Sequence, residues 1–230
     1  MAKRNVKNEG DERLESIETS LTRAEQFVIN NRKAIVVVLV LLALVIGAYF
    51  VAQKKYFEPR EQEAQTAIYH AEQYFANDDF AKALNGDGNY LGFADVIDEF
   101  SGTEVANLAK YYAGLCCLNT GDFNQAVSYL EDYNGKDVFV SSVAIGALAD
   151  AYMELDNLTE AVKCYEEAAT ESANSFTSPM YLLRAGIVYE MLGNYAKAVE
   201  MYNVIKADYP NSPEGFNIEK NIAREKTKMK

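Results

Sequence analysis

Residues 191–205 read "MLGNYAKAVEMYNVI". A glycine turn leads into Tyr195, Ala198, Val199, Tyr202 and Ile205, spaced as one face of a helix. The phrase recurs as "NTGDFNQAVSYL" at 119–130 and "ELDNLTEAVKCY" at 154–165, with a shorter echo, "NDDFAKAL", at 77–84. Each has a polar turn, an apolar residue and an alanine three positions later. The apolar turn residues Phe80, Phe123, Leu158 and Tyr195 are 43, 35 and 37 residues apart. That period, with helix–turn–helix content, predicts an all-α solenoid of about four stacked helix pairs.

The small residues have a packing reason. Two antiparallel helices approach closely only where side chains are small. Gly186 and Ala149 on first helices, with Ala198 and Ala161 on second helices, predict that contact. Tyr152, Tyr165, Tyr189 and Tyr202 fill the space around it, as ridges fill grooves. Gly121 and Gly193 suit the left-handed C-cap of a first helix.

The last unit reads Leu182, Ala185, Gly186, Tyr189, Gly193, Tyr195, Ala198, Tyr202, Ile205 and Pro210. This resembles the tetratricopeptide repeat at nearly every signature position, with Leu182 replacing the early aromatic. The two preceding units follow the pattern through Ile145, Leu148, Ala149, Tyr152 and Leu158, and through Ala113, Gly114, Gly121, Phe123 and Ala126. Three such repeats are expected over residues 107–212. Residues 53–106 read as a linker helix and an irregular first unit. There Ala64, Ala67, Ala71 and Tyr74 share a face, and "LNGDGNY" at 84–90 interrupts the second helix. Residues 213–230 read as a polar capping helix and tail, with Ser212 as N-cap and Pro213 in the first turn.

The chain has 230 residues, 49% hydrophobic and 24% charged, a composition that folds. Residues 34–52, "AIVVVLVLLALVIGAYFVA", carry no charge. Nineteen helical residues reach roughly 28 Å, close to a bilayer core of about 30 Å. Arg32-Lys33 and Lys54-Lys55 flank the run, and Tyr49, Tyr56 and Phe57 sit at one end as an aromatic belt would. The run is longer than a signal-peptide core and lacks a small-residue cleavage site, so a retained anchor is expected. Positive flanking charges number three on each side and leave orientation open. A short tail, one span and a large C-terminal domain favour a cytoplasmic N-terminus and an exported repeat domain.

Formal net charge is -12, while residues 1–33 carry about +1, so the acid lies beyond the tail. Such a domain repels phosphate backbones and excludes nucleic acid as a partner. The tail, residues 1–33, sets Leu14, Ile17, Leu21, Ala24 and Val28 at alternating spacings of three and four, which reads either as a solvated juxtamembrane helix or as a short seam for docking a cytoplasmic or membrane partner. Cys116, Cys117 and Cys164 lie in apolar helical runs and read as buried core thiols, with a bridge to Cys164 as the alternative. The lone His70, the "DGNYLG" stretch and the acidic pairs Asp78-Asp79 and Glu166-Glu167 form no catalytic, metal or phosphate motif. The pairs read as solvated faces. No enzyme activity, cofactor, metal or small-molecule substrate is expected.

The tetratricopeptide resemblance implies a concave groove lined by first helices. The matching positions are Tyr111, Leu115 and Leu118, then Asp150, Met153 and Glu154, then Leu183, Ile187, Glu190 and Met191, with core packing between neighbouring first helices or against the capping helix as the alternative. The Lys and Asn carboxylate clamp of chaperone-binding members is missing there. The whole layout resembles the YfgM-type inner-membrane tetratricopeptide proteins. That resemblance implies partners in the Sec translocon, a periplasmic foldase and unfolded envelope proteins. Two other classes fit the same layout: a scaffold for envelope assembly or division factors without clients, and a cytosol-facing import-type receptor.

Overall fold

The computed structural model describes residues 9–135, 137–171 and 173–229, with side chains described from Gln26 onward except that of Val138. It divides near Glu58 into two units. The first is helix α1 (Glu9–Ala52), continued by a π-helical turn, Gln53–Phe57. From Gln26 the helix is long and apolar enough to cross a membrane, with a window of mean hydropathy 3.1. Tyr49 and Phe50, then Tyr56 and Phe57, meet edge to face at 5.8 and 5.3 Å between centroids. Of the proposed docking tail, Val28 is exposed. The side chains of Leu14, Ile17 and Leu21 lie outside the described residues.

The second unit is helical throughout its described residues: α2 (Glu58–Ala76), α3 (Phe80–Asn85), α4 (Phe93–Glu99), α5 (Glu104–Thr120), α6 (Phe123–Glu131), α7 (Val138–Glu154), α8 (Leu158–Thr170), α9 (Thr177–Met191), α10 (Tyr195–Asp208), a 3₁₀ turn at Gly215–Asn217, and α11 (Ile218–Lys228). Helices α5/α6, α7/α8 and α9/α10 pack as successive pairs, and α11 packs on α10.

The recurring phrase builds one turn four times. Asp78, Gly121, Asp156 and Gly193 all have positive φ, at 59°, 83°, 56° and 72°. The following N–H of Asp79, Asp122, Asn157 and Asn194 returns to the carbonyls of Tyr74, Cys117, Tyr152 and Tyr189. That is the Schellman closure, which satisfies carbonyls the helix end leaves free. The same four side chains then cap the next helix, accepting from the N–H of Lys82, Gln125, Glu160 and Lys197. Asp78-Asp79 is therefore turn chemistry rather than a solvated face.

Behind each turn, Ala83, Ala126, Ala161 and Ala198 are fully buried. Tyr202 lies so close to Gly186, and Leu130 to Gly114, that a Cβ on either glycine would fall within 2.2 or 2.5 Å of the facing side chain. The tyrosines bury rings and keep a polar tip paired. Tyr152, Tyr165, Tyr189 and Tyr202 donate to Glu131, Asp150, Glu166 and Glu190 respectively. Glu166 is thus engaged as well. The three cysteines are buried free thiols, pushed up to about 12 for Cys116 and about 11 for Cys117 and Cys164, in each case chiefly by burial.

In the irregular first unit, Ala64 and Ala71 are buried, with Ala67 and Tyr74 packed against the same cluster. Glu61 of α2 accepts from the Glu104 and Val105 N–H groups, both at 2.9 Å, and so supports the N-terminus of α5. The interruption closes on itself, since a Cβ on Gly92 would lie 2.3 Å from the Leu84 carbonyl oxygen. Asp87 holds it by accepting from the Tyr90 and Asn89 N–H groups and the Tyr74 hydroxyl, which together lower its carboxyl to about 2. Tyr90 stacks on His70 with centroids 3.4 Å apart.

At the C-terminal end the capping helix starts at Ile218, not at Pro213. Ser212 closes a turn instead of capping a helix. Its hydroxyl donates to the Tyr209 carbonyl at 2.9 Å and accepts from the Gly215 N–H at 3.1 Å. The chain then passes so close to the Tyr209 and Pro210 carbonyls that only glycine fits at 215. Ile218 and Ile222 complete the core beside α10, and Arg224 ties α11 to Glu190 at 2.6 and 2.8 Å.

Candidate protein-binding groove

The close-packed pairs leave a cavity of about 830 Å³ beside three successive first helices. Helix α5 contributes Leu115, Leu118 and Asn119. Helix α7 contributes Val143, Ala147, Asp150, Met153 and Glu154, and α9 contributes Tyr181, Arg184, Ile187 and Val188. Phe123 and Tyr165 enter from the second helices. The 3.6-residue period explains the lining, because residues three or four apart on one helix share a face.

Of the positions expected from sequence, Leu115, Leu118, Met153 and Ile187 come together here, along with Asp150 and Glu154. The others go elsewhere. Tyr111 packs beside Leu130, Ala144 and Ala147, and burial pushes its phenol up to about 12. Leu183 packs against the cluster that contains Tyr202. Met191 is exposed at the last turn of α9 and is not among the lining residues. Glu190 accepts from Tyr202 and Arg224 rather than facing the cavity.

The sequence reading missed Arg184, the one Lys or Arg among the lining residues. Its Nη1 donates to both Asp150 oxygens, at 2.5 and 2.8 Å, and Tyr165 donates to the same carboxylate. The guanidinium lies 5.8 Å from the Tyr165 ring centroid and 6.0 Å from that of Tyr181, within cation–π range. Burial, then the Asp150 hydrogen bond, raises the Tyr165 phenol above its ordinary value. Two aromatic rings thus carry a compensated ion pair, and aliphatic and methionine side chains flank it. The surface can accept apolar side chains without leaving a lone charge beneath them. Glu154 stands exposed at the α7 end.

A tetratricopeptide repeat family model matches residues 147–213, which run from α7 past α10. Solved structures share the fold. The nearly identical TPR-like repeats of a Podosopora anserina kinesin-light-chain-like protein, in a singly substituted form, match at a TM-score of 0.54 and 16% identity, over 76% of this chain and 89% of that one. The same repeats without that substitution match at 0.54 and 16%, over 74% and 88%. MamA matches at 0.50 and 17%, over 69% and 94%. No curated protein matches the chain significantly. The second unit therefore has the tetratricopeptide-like solenoid fold, and residues 147–213 carry the repeat itself.

Proposed function

We propose that the chain is a membrane-anchored protein-binding module that holds apolar segments of other proteins in the α5–α7–α9 groove. The observation that carries this reading is the cavity, where Leu115, Leu118, Met153 and Ile187 surround a neutralised Arg184–Asp150 pair. Methionine and aliphatic side chains adapt to varied apolar partners. Binding is weak, because an unfolded segment loses entropy when ordered. The acidic balance of the chain adds a mild preference for apolar segments with basic neighbours.

In this reading residues 34–52 are the anchor, 1–33 a cytoplasmic tail, and 53–230 a periplasmic domain of a bacterial inner-membrane protein. The resemblance in layout supports a role beside the Sec translocon as a chaperone-like adaptor for emerging envelope proteins, working with a periplasmic foldase. Leu14, Ile17, Leu21 and Val28 belong to a docking surface on the tail.

Two measurements test it. Protease added to spheroplasts degrades the repeats and spares the tail; protection of the repeats reverses the topology. A photo-crosslinking residue at Ile187 in the full chain captures translocon subunits or newly exported proteins, while one at exposed Phe216 captures far less. Equal capture at both sites removes the groove from the account.

A further inference from the structure

The phenylalanines of the second unit fall into two groups. Phe75, Phe80, Phe93, Phe100 and Phe123 are buried or half-buried. Phe139, Phe176 and Phe216 are 57, 79 and 77% exposed. These three share one address in the repeat, the connection from a second helix to the next first helix or cap. Phe139 is the second residue of α7, Phe176 directly precedes α9, and Phe216 stands two residues before α11. Single exposed apolar residues are ordinary, but a bare ring at the same place in three successive connections is a pattern. Two of the rings stand on pinned backbone. The Phe139 and Phe176 N–H groups donate to the Oδ1 atoms of Asp137 and Asn174, at 2.9 and 2.8 Å.

The connections lie along one edge of the solenoid. Asn107 at the start of α5 exchanges hydrogen bonds with the Asn134 backbone before α7, at 2.9 and 3.0 Å. Ser142 at the start of α7 donates to the Ala168 carbonyl at the end of α8, at 2.6 Å. Ser175 before α9 lines one cavity with Tyr209 and Pro210 after α10. The start of α2 belongs to the same edge. Arg60 donates to the Glu99 carbonyl at 2.7 Å, and Glu61 accepts from the N-terminus of α5. The chain enters this unit there, and only residues 53–58 separate it from the apolar run 34–52, a reach of at most about 22 Å.

We infer that Phe139, Phe176 and Phe216 dip into the interface of the bilayer that holds the anchor. The inference goes beyond the groove and rests on the anchor reading above. A lipid surface is the partner because the tether leaves from the edge that carries the rings, and tethering raises their effective concentration at that surface. A phenyl ring has no polar tip and suits the boundary between headgroups and acyl chains. Asp137, Glu171 and Asp208 stand exposed on the same connections, so the edge repels anionic headgroups and fits zwitterionic lipid.

The chain has no tryptophan, so one introduced indole reports its own site. Phe139→Trp, Phe176→Trp and Phe216→Trp are made singly in the full chain and reconstituted into phosphatidylcholine vesicles with brominated acyl chains. Leu192→Trp, at a 43% exposed position beside the Gly193 turn on the opposite edge, is the reference. Tyr49→Trp reports the anchor. The expected result is bromine quenching several-fold stronger at each of the three sites than at the reference. Quenching at the reference level at any of the three overturns the shared contact, and an edge reserved for a protein partner gives that result in pure lipid. Strong quenching of Tyr49→Trp then shows that the lipid contact fails alone. An unquenched Tyr49→Trp overturns the anchor and the contact with it.

Discussion

Tyr202 packs against Gly186 so tightly that a Cβ on the glycine would lie 2.2 Å from the ring's Cε1. The ring is fully buried and its hydroxyl is held by Glu190 at 2.5 Å, so it has little freedom to retreat. Gly186→Ala would normally gain up to about 1 kcal/mol of helix propensity. Here the overpacking cost, typically about 1–3 kcal/mol, outweighs it. Urea unfolding of the variant is expected at a lower midpoint than the parent, and Ala198→Leu in the facing helix acts in the same direction. An unchanged midpoint in both contradicts the packing.

The four turns make a paired prediction. Asp156 adopts a left-handed conformation at φ 56°, where Gly121 and Gly193 sit in the other repeats. Such a conformation costs an L-residue roughly 1–2 kcal/mol, less for Asp and Asn. Asp156→Gly is expected to stabilise by a few tenths to about 1 kcal/mol, and Gly193→Ala to destabilise by about as much. Asn194→Ala removes the cap on α10 and costs about 0.5–2 kcal/mol. Thermal unfolding of the three variants gives the signs directly.

Alkaline pH should unfold the repeats early. Burial holds the Cys116 thiol up to about 12, from an ordinary value of 9.0, and Cys117 and Cys164 up to about 11. The unfolded chain releases these protons first, so stability falls as pH rises from about 9. Below that pH both states hold the protons and the thiols add no pH dependence. The melting temperature is expected to be flat with respect to these groups from pH 7 to 8 and to fall from about 9 upward. Blocking with maleimide at pH 7.5 should be slow until urea opens the fold.

Helix α11 closes the solenoid. Deleting residues 218–230 exposes the core that Ile218 and Ile222 cover and removes Arg224 from Glu190. Full burial of each isoleucine contributes about 1.5–3 kcal/mol, so a loss of at least about 3 kcal/mol is expected. A truncated chain with parental stability contradicts a capping role.

Much of this architecture was legible because its signals are local. The residue pairs at 78–79, 121–122, 156–157 and 193–194 announce a helix end and a helix start within two positions. The alanines at 83, 126, 161 and 198 mark the close contacts. That Asp78 and Asp156 would take the glycine's conformation was not legible, since a single repeat does not show which of two polar residues turns. The groove was legible only in part. Arg184, Asp150 and Tyr165 meet across separations of 34 and 15 residues, which requires the register of α7 against α9. Tyr111 and Leu183 sit on first helices near the lining residues, yet they pack against the neighbouring core clusters, which spacing along one helix does not reveal. Pro213 looked like a helix start, but the close passage of Gly215 past Tyr209 delays the helix to Ile218.

The most direct measurement is capture of a fluorescent apolar peptide with basic flanks by the full chain in lipid nanodiscs. Three proteins are compared: the parent, a Met153→Ser/Ile187→Ser double variant, and Phe216→Ser, which alters an exposed aromatic outside the groove. The account predicts a roughly tenfold weaker affinity for the double variant, about 1.4 kcal/mol. It also predicts parental affinity for Phe216→Ser and a melting temperature in the double variant that still reports a folded repeat unit. A folded double variant that captures the peptide as well as the parent would contradict it.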